Sequence, residues 1–349
     1  MLGLSGFLLL IGLPIHALAH DDPASLRTQE GPVDCPALLS IRTLKVIPAT
    51  KGTALVTPAG SRFRHFAMRP HSFGENGKYS TTVYYSTKSV APGKASVVVG
   101  LFHGMNAEIS HGGSMFNMMQ ALTKAEKNIE PGSALDQMRK KTPRVQDIYA
   151  EAPDLPGCGN NSDVTPLDTY EGIIDYYTQY VKDLRARAPN RPFVAVGFCY
   201  SSGFLIEVSR RNPGLIDGLI LTGLIVPERE LGLEFAIGVE SEMYRSGSLA
   251  KNPAVQTRAD PAYGNLPWGN QDQPTGTTPT LLLIGQKDPF QSESAKSVFQ
   301  AWTKKNPSNL KYLEVKGGGH GVLGPIEGHP NGFVTVLTEV NRMLKRVQK

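Results

Sequence analysis

Cys199 is the residue whose surroundings best suit it to nucleophilic chemistry. It follows the apolar run 194–198, stands in the sequence Gly-Phe-Cys-Tyr-Ser, and leads directly into a helix-like stretch. A sharp turn from strand to helix forces its central residue to a positive φ, and it needs small residues two positions to either side. Gly197 and Ser201 are those small neighbours. The pattern predicts a nucleophile elbow that carries a thiol in place of a serine hydroxyl.

Two residues further along the chain complete the set that acyl transfer requires. Asp288 follows the apolar run 280–285, and His320 stands in the sequence Gly-Gly-His-Gly. A nucleophile needs a base that takes its proton and later protonates the leaving group, and an imidazole titrates near neutrality. An acid then orients that base. We predict Cys199 as nucleophile, His320 as general base and acid, and Asp288 as the residue that holds the other ring nitrogen.

The residue pattern leaves alternatives open for these roles. Ser201 is the alternative nucleophile, in which case the cysteine of the elbow is a buried structural residue. Glu228 or Glu230 are the alternative acids, because both follow the preceding strand. His329 is the other histidine after the predicted acid, and it is expected to be structural.

Strands and helices alternate along most of the chain, after two predicted antiparallel strands at 62–68 and 80–87. Apolar runs predict further strands at 95–102, 145–150, 192–197, 215–222, 280–285 and 310–315. Helical spacing of apolar residues predicts helices at 114–127, 170–188, 200–211, 292–304 and 332–347. This order predicts an α/β fold with a mostly parallel sheet flanked by helices, and sites in such folds lie at the carboxyl ends of the strands.

With these elements in place, residues 60–349 resemble the α/β-hydrolase superfamily. The sequence Leu-Phe-His-Gly at 101–104 resembles the strand end that opens the family's oxyanion loop. Residues 154–162 resemble the family turn Asp-x-x-Gly-x-Gly-x-Ser, with the serine one place late. The nucleophile, acid and histidine also follow in the family order. The resemblance implies an α/β-hydrolase fold with the predicted triad, and an oxyanion hole formed by the backbone N–H groups of Met105 and Tyr200.

The same resemblance implies a cap insertion and a particular kind of elbow. Residues 227–278 interrupt the sheet between strands 6 and 7 of the family fold, where a cap is common; a surface excursion without substrate contact is the alternative. The thiol is similar to that of dienelactone hydrolases and polyhydroxyalkanoate synthases, whose elbow is Gly-x-Cys-x-Gly. Ser201 replaces the last glycine of that pattern.

The predicted activity is hydrolysis of an ester, lactone or thioester through an S-acyl intermediate. A small-molecule acyl substrate is expected, with no metal and no organic cofactor. An acyltransferase with the same triad and a hydrolase fold that only binds ligands are the alternatives. The chain of 349 residues is 19% charged and 40% hydrophobic, which is typical of a globular protein. Its net charge of +5 comes from basic residues that do not cluster, so no nucleic-acid partner is predicted. The sequence assigns no oligomeric state.

The amino terminus predicts export. Residues 1–19 are apolar, carry no acidic side chain and end in Ala-Leu-Ala, which predicts a secretory signal peptide cleaved after Ala19. An uncleaved membrane anchor is the alternative. Residues 20–60 then form an N-terminal leader and 61–349 the hydrolase domain of a secreted or periplasmic protein, without stable membrane insertion after cleavage. Of the three cysteines, Cys35 and Cys158 are either a disulfide or two thiols.

Export gives a direct prediction about the mature chain. Intact-mass analysis of protein recovered after export should give His20 as the first residue, because the signal peptidase recognises the small residues before it. A mass that includes Met1 would contradict the predicted cleavage.

Overall fold

The computed structural model describes residues 48–49, 52–54, 66–104, 114–123, 145–155, 169–225, 275–324, 326 and 329–349. The strands in these ranges are β1 (Pro48–Ala49), β2 (Gly52–Ala54), β3 (Phe66–Phe73), β4 (Tyr79–Ser86), β5 (Val97–Phe102), β6 (Ile148–Pro153), β7 (Phe193–Phe198), β8 (Gly218–Thr222), β9 (Thr280–Gly285) and β10 (Leu310–Val315). The α-helices are α1 (Ser114–Thr123), α2 (Tyr170–Arg187), α3 (Tyr200–Arg211), α4 (Glu293–Lys305) and α5 (Pro330–Val347).

The strands form one sheet in the order β1-β2-β3-β4-β6-β5-β7-β8-β9-β10. The first four strands pair antiparallel, and β4 also pairs antiparallel with β6. From β6 to β10 every pairing is parallel. All residues of β5, β6, β8 and β9 are buried, as expected of strands covered on both faces. The predicted α/β-hydrolase fold with a mostly parallel sheet is confirmed.

Helices cover the two faces of the sheet in separate groups. Leu184, Phe204 and Phe299, from α2, α3 and α4, belong to one apolar cluster. Met118 and Leu337, from α1 and α5, belong to the other. Side chains of successive strand residues alternate between the two faces, so the sheet contributes to both clusters. The described part of the domain therefore has three layers with the sheet in the middle.

Most predicted elements coincide with observed ones, and two strands differ in an informative way. The bounds of α3, β9 and β10 are those predicted, and most other elements shift by one to three residues at an end. By contrast, β3 continues to Phe73 instead of ending at 68, and β6 continues to Pro153 instead of ending at 150. The prediction stopped each strand at a charged residue, Arg69 and Glu151 respectively. In the structure, these two residues lie inside their strands because they bind each other.

Glu151 is the centre of a buried ion cluster. Its carboxylate is completely buried and accepts hydrogen bonds from Arg69 Nη2 at 3.0 Å, Arg187 Nη1 at 2.9 Å and the Tyr180 hydroxyl at 2.6 Å. Burial by itself would raise the pKa of Glu151, but hydrogen bonds from Arg187 and the charges of both arginines lower it to about 2. This compensation lets a carboxylate lie between the sheet and α2.

Several predictions fall outside the described residues. They include the signal peptide 1–19, most of the leader 20–60, nearly all of the cap 227–278, and both Cys35 and Cys158. Within the described ranges, no helix is long and apolar enough to cross a membrane.

The ion cluster predicts a large cost for Glu151→Gln. The substitution keeps the shape of the side chain but removes the carboxylate charge that both partly buried arginines bind and leaves Arg187 with Asp183 alone, so the free energy of unfolding should fall by about 3 kcal/mol. Urea denaturation at pH 7 measures this fall. Glu171→Gln is the control, because Glu171 pairs with Arg211 on the surface with its side chain 69% exposed, and it should cost less than about 0.5 kcal/mol.

The pH dependence of the free energy of unfolding, compared between wild type and Glu151→Gln, gives a second test of the ion cluster. The pKa of Glu151 is lowered from 4.5 to about 2 by folding, so its contribution to stability is fully present above pH 4.5 and is lost as the pH falls through about 2. The stability difference between wild type and Glu151→Gln should shrink over that window. A difference below about 1 kcal/mol at pH 7 would contradict the role of the cluster.

Candidate active site

Cys199 occupies the turn between β7 and α3. Its φ is 53° and its ψ is −118°, which places it in the left-handed half of the backbone map where residues other than glycine are strained. Its N–H donates to the carbonyl of Thr222 at the end of β8, at 2.8 Å. The N–H of Ser202 donates to the Cys199 carbonyl at 3.0 Å. These bonds hold the residue in the conformation that the sequence predicts for an elbow.

Two glycines allow the backbone to crowd around this turn. A Cβ atom on Gly197 would lie 2.9 Å from both the Ser202 Cα and the Leu205 Cδ1, so α3 packs directly on the end of β7. A Cβ atom on Gly104, just after β5, would lie 3.1 Å from the Cβ of Cys199. The end of β5 therefore approaches the thiol-bearing residue from a neighbouring strand.

Asp288 and His320 meet at the same edge of the sheet. Asp288 follows β9, and His320 follows β10. The Nδ1 atom of His320 lies 2.9 Å from Oδ1 and 3.0 Å from Oδ2 of Asp288, whose side chain is fully buried. Oδ1 also accepts the Phe290 N–H at 2.9 Å. Because a carboxylate only accepts hydrogen bonds, Nδ1 carries the proton, and Nε2 is the ring nitrogen that can accept one.

Aromatic rings and a glycine fix the imidazole of His320. The ring centroids of Phe290 and Phe198 lie 4.3 Å and 5.1 Å from that of the histidine. Gly223, with φ 58°, follows β8, and a Cβ atom there would lie 2.8 Å from the His320 Cε1. The ring is therefore enclosed on several sides and held in one orientation.

The charge balance around His320 favours the protonated ring. Burial lowers the pKa of His320. The Asp288 carboxylate and the Cys199 sulfur raise it by more than burial lowers it, so the pKa of His320 lies well above its ordinary value. Nε2 is buried and makes no hydrogen bond of normal geometry within the described residues, and the Cys199 sulfur acts on the ring both through charge and through hydrogen bonding.

Ser201 lies within α3 and not at the turn. It is completely buried, its Oγ lies 2.7 Å from the Tyr177 hydroxyl, and it donates a hydrogen bond to the carbonyl oxygen of His103.

The imidazole of His103 is bound by backbone groups. Nε2 lies 2.9 Å from the Leu155 N–H, and since an amide N–H only donates, Nε2 accepts. Nδ1 must then donate to the Gly104 carbonyl at 2.7 Å. His103 is thus a buried residue that joins the ends of β5 and β6.

The remaining predicted residues have different outcomes. Tyr200 is the first residue of α3, where backbone N–H groups have no partner within the helix. His329 packs on Gly317, where a Cβ atom would lie 1.9 Å from the His329 Cδ2. Met105, and the alternative acids Glu228 and Glu230, lie outside the described residues.

Sequence reasoning missed the residues that surround the imidazole. Phe198 and Phe290 contact the ring, and Gly223 supports it from the end of β8. Phe198 and Phe290 stand next to the predicted nucleophile and two places after the predicted acid, and this proximity is the one signal that points to them.

The contact between Asp288 and His320 leads to a prediction about the pKa of the histidine. Asp288→Asn should lower the pKa of His320, because it removes the negative charge that most raises it while keeping the shape of the side chain. NMR titration of the His320 Cε1–H resonance measures the pKa. Asp183→Asn is the control, since Asp183 pairs with His71 at 2.7 Å on another part of the fold. An unchanged His320 titration in Asp288→Asn would show that the carboxylate does not govern the ring.

Known proteins of similar structure include esterases and a lipase. No curated protein is detectably similar in sequence. An esterase from Pyrococcus furiosus is 14% identical with a TM-score of 0.54, and the match covers 83% of this chain and 96% of that one. An esterase from Thermogutta terrifontis is 15% identical with a TM-score of 0.52, covering 81% and 99%. A soluble variant of the monoglyceride lipase from Saccharomyces cerevisiae is 12% identical with a TM-score of 0.51, covering 80% and 96%.

At such low identities, these structures show a shared fold. The family assignment comes from the sequence itself, which matches the alpha/beta hydrolase family over residues 101–336, well over half of the chain. The matched range begins at the end of β5 and contains the elbow, the Asp288–His320 pair and the strands β6, β7, β8, β9 and β10. This chain is a member of the alpha/beta hydrolase family.

Proposed function

We propose that this protein hydrolyses esters or thioesters with Cys199 as nucleophile, His320 as general base and acid, and Asp288 as the orienting acid. One observation carries the proposal. The Asp288–His320 pair, joined at 2.9 Å, leaves its second ring nitrogen buried and without a well-formed hydrogen bond, while the adjacent thiol is held in a strained elbow. Perturbed titratable groups next to a nucleophile are the usual mark of an acyl-transfer site.

The contacts of the two candidate nucleophiles favour Cys199. The imidazole of His320 interacts with the Cys199 sulfur, and its Nε2 is the ring nitrogen that can hold the thiol proton. The hydroxyl of Ser201 instead contacts Tyr177 and His103, and its only proton is donated to a backbone carbonyl. A serine nucleophile needs a base that accepts its proton, and a carbonyl oxygen cannot act as that base. These contacts argue against Ser201 as the nucleophile.

The proposed reaction follows from this geometry. Nε2 of His320 takes the thiol proton, and the Cys199 sulfur attacks the acyl carbon to give a tetrahedral oxyanion. The backbone N–H of Tyr200 at the start of α3, together with that of Met105, donates hydrogen bonds to the oxyanion. As the intermediate collapses, the leaving alcohol or thiol receives the proton from Nε2. Water then attacks the S-acyl group with His320 as base, releasing a carboxylic acid and restoring the thiol.

The substrate class is proposed from chemistry and from the structural relatives. The similar solved structures include two esterases and a monoglyceride lipase, which supports an ester as the scissile bond. A thiol nucleophile also exchanges readily with thioesters, since the S-acyl enzyme is itself a thioester. Esters, lactones and thioesters of small acyl groups are the compounds to test first.

The proposal predicts that Cys199→Ala abolishes turnover. The loss should be about 1000-fold or more with p-nitrophenyl acetate and with a short-chain thioester, because the substitution removes the proposed nucleophile. Wild-type protein quenched during turnover should carry an acetyl mass increase on the peptide that contains Cys199. Treatment with iodoacetamide should remove activity and block that acetylation.

Ser209→Ala is the matched control, because Ser209 is a buried hydroxyl in the same helix that contacts Thr278 at 2.7 Å, away from the thiol. It should retain wild-type turnover. Turnover that survives Cys199→Ala but is absent in Ser201→Ala would contradict the thiol mechanism. Absence of both turnover and acetylation in the wild type would favour a binding protein. Transfer of the acyl group to an added alcohol in preference to water would identify an acyltransferase.

A further inference from the structure

We propose that Ser201 is a positioning residue for the oxyanion hole, acting together with Tyr177 through a chain of hydrogen bonds. The inference rests on the function proposed above and adds residues from outside the triad. It starts from a difference between what the elbow requires and what it contains. The turn requires a small residue at position 201, and a glycine would satisfy that requirement. The hydroxyl of Ser201 is therefore not explained by the turn.

The hydrogen bonds of Ser201 have a definite direction. The carbonyl oxygen of His103 can only accept, so the single hydroxyl proton of Ser201 goes to it. The Tyr177 hydroxyl, 2.7 Å from the Ser201 Oγ, must then donate its own proton to that oxygen. All three residues are at most 2% exposed, so water does not compete for these bonds. A buried chain thus runs from Tyr177 on α2 through Ser201 on α3 to the end of β5.

These hydrogen bonds join the start of α3 to the end of β5. The Tyr200 N–H, the expected oxyanion donor, belongs to the first turn of α3, one residue before Ser201. His103, whose carbonyl accepts the Ser201 proton, directly precedes Gly104 at the end of β5. Ser201 therefore fixes the helix turn that carries this donor against the end of β5.

The distance between these segments matters for catalysis. Gly104 lies so close to the elbow that a Cβ atom on it would be 3.1 Å from the Cys199 Cβ. Donors in an oxyanion hole act within about 2.7–3.1 Å of the developing charge, so a small displacement of the first turn of α3 relative to the β5 end would weaken the hydrogen bond from the Tyr200 N–H. Loss of the Ser201 hydroxyl removes the side-chain bond that links this end to α3. The effect should fall on the transition state and not on the thiol.

Two reactions of Cys199 distinguish an effect on the transition state from an effect on the thiol. Acylation by p-nitrophenyl acetate needs the thiolate and also builds an oxyanion, whereas alkylation by iodoacetamide needs the thiolate alone. In Ser201→Ala, the acylation rate should fall about tenfold or more, and the alkylation rate should change by less than about twofold. Tyr177→Phe should shift acylation in the same direction by a smaller factor, since it keeps the ring and leaves Ser201 in place. Ser209→Ala should change neither rate.

Each outcome decides the inference. Equal falls in acylation and alkylation would mean that Ser201 acts on the thiol or on the fold, and an unchanged acylation rate would show that its hydroxyl is dispensable; both overturn it. Thermal unfolding of every variant checks that the proteins are folded, and Tyr177→Phe carries the test if Ser201→Ala does not fold. A wild-type protein that iodoacetamide alkylates but no ester or thioester acylates would overturn the proposed function, and this inference with it. Normal wild-type acylation with an unaffected Ser201→Ala overturns the inference alone.

Discussion

The close approach of α3 to the end of β7 imposes the constraint on which the rest of the site depends. The chain reverses direction within one residue, so Cys199 adopts φ 53° and the first turn of the helix lies against the strand. There is no space for a Cβ atom at Gly197, which would contact Ser202 at 2.9 Å. The Thr222 carbonyl on β8 holds the Cys199 N–H at 2.8 Å. Backbone strain at the turn is thus balanced by packing and hydrogen bonds that present the thiol at the edge of the sheet.

The parallel arrangement of β7, β9 and β10 brings the other two residues to the same edge. Asp288 and His320 are joined by their side chains and also by the backbone of their loops. The Lys287 N–H donates to the Gly318 carbonyl at 2.7 Å. A Cβ atom on Gly285 would lie 1.9 Å from the Gly319 carbonyl oxygen, so the two loops are in direct backbone contact. The carboxylate and the imidazole are therefore positioned by their main chains as well as by their own hydrogen bond.

The two buried titratable groups Glu151 and His320 have contrasting surroundings. Glu151 is surrounded by donors from Arg69, Arg187 and Tyr180, so its charge is fully compensated and serves to join β3, β6 and α2. His320 receives one strong partner, Asp288, and its second nitrogen is left buried without a well-formed hydrogen bond. Leaving a buried polar atom unsatisfied lowers stability, and it is also how a site keeps a group available for a substrate. The contrast distinguishes the ion cluster around Glu151 from the proposed active site.

The sequence by itself determined the order of strands and helices, the elbow around Cys199 and the residue types placed after β9 and β10. These features depend on local patterns, namely apolar periodicity and small residues at fixed spacing. Only the tertiary structure decided how far β3 and β6 extend, because the charge of Glu151 inside β6 is compensated by Arg69 and Arg187, which come from β3 and α2. It likewise decided the surroundings of Ser201 and His320. Tyr177, Phe290 and the end of β5 reach these residues through contacts distant in sequence, which no local pattern encodes.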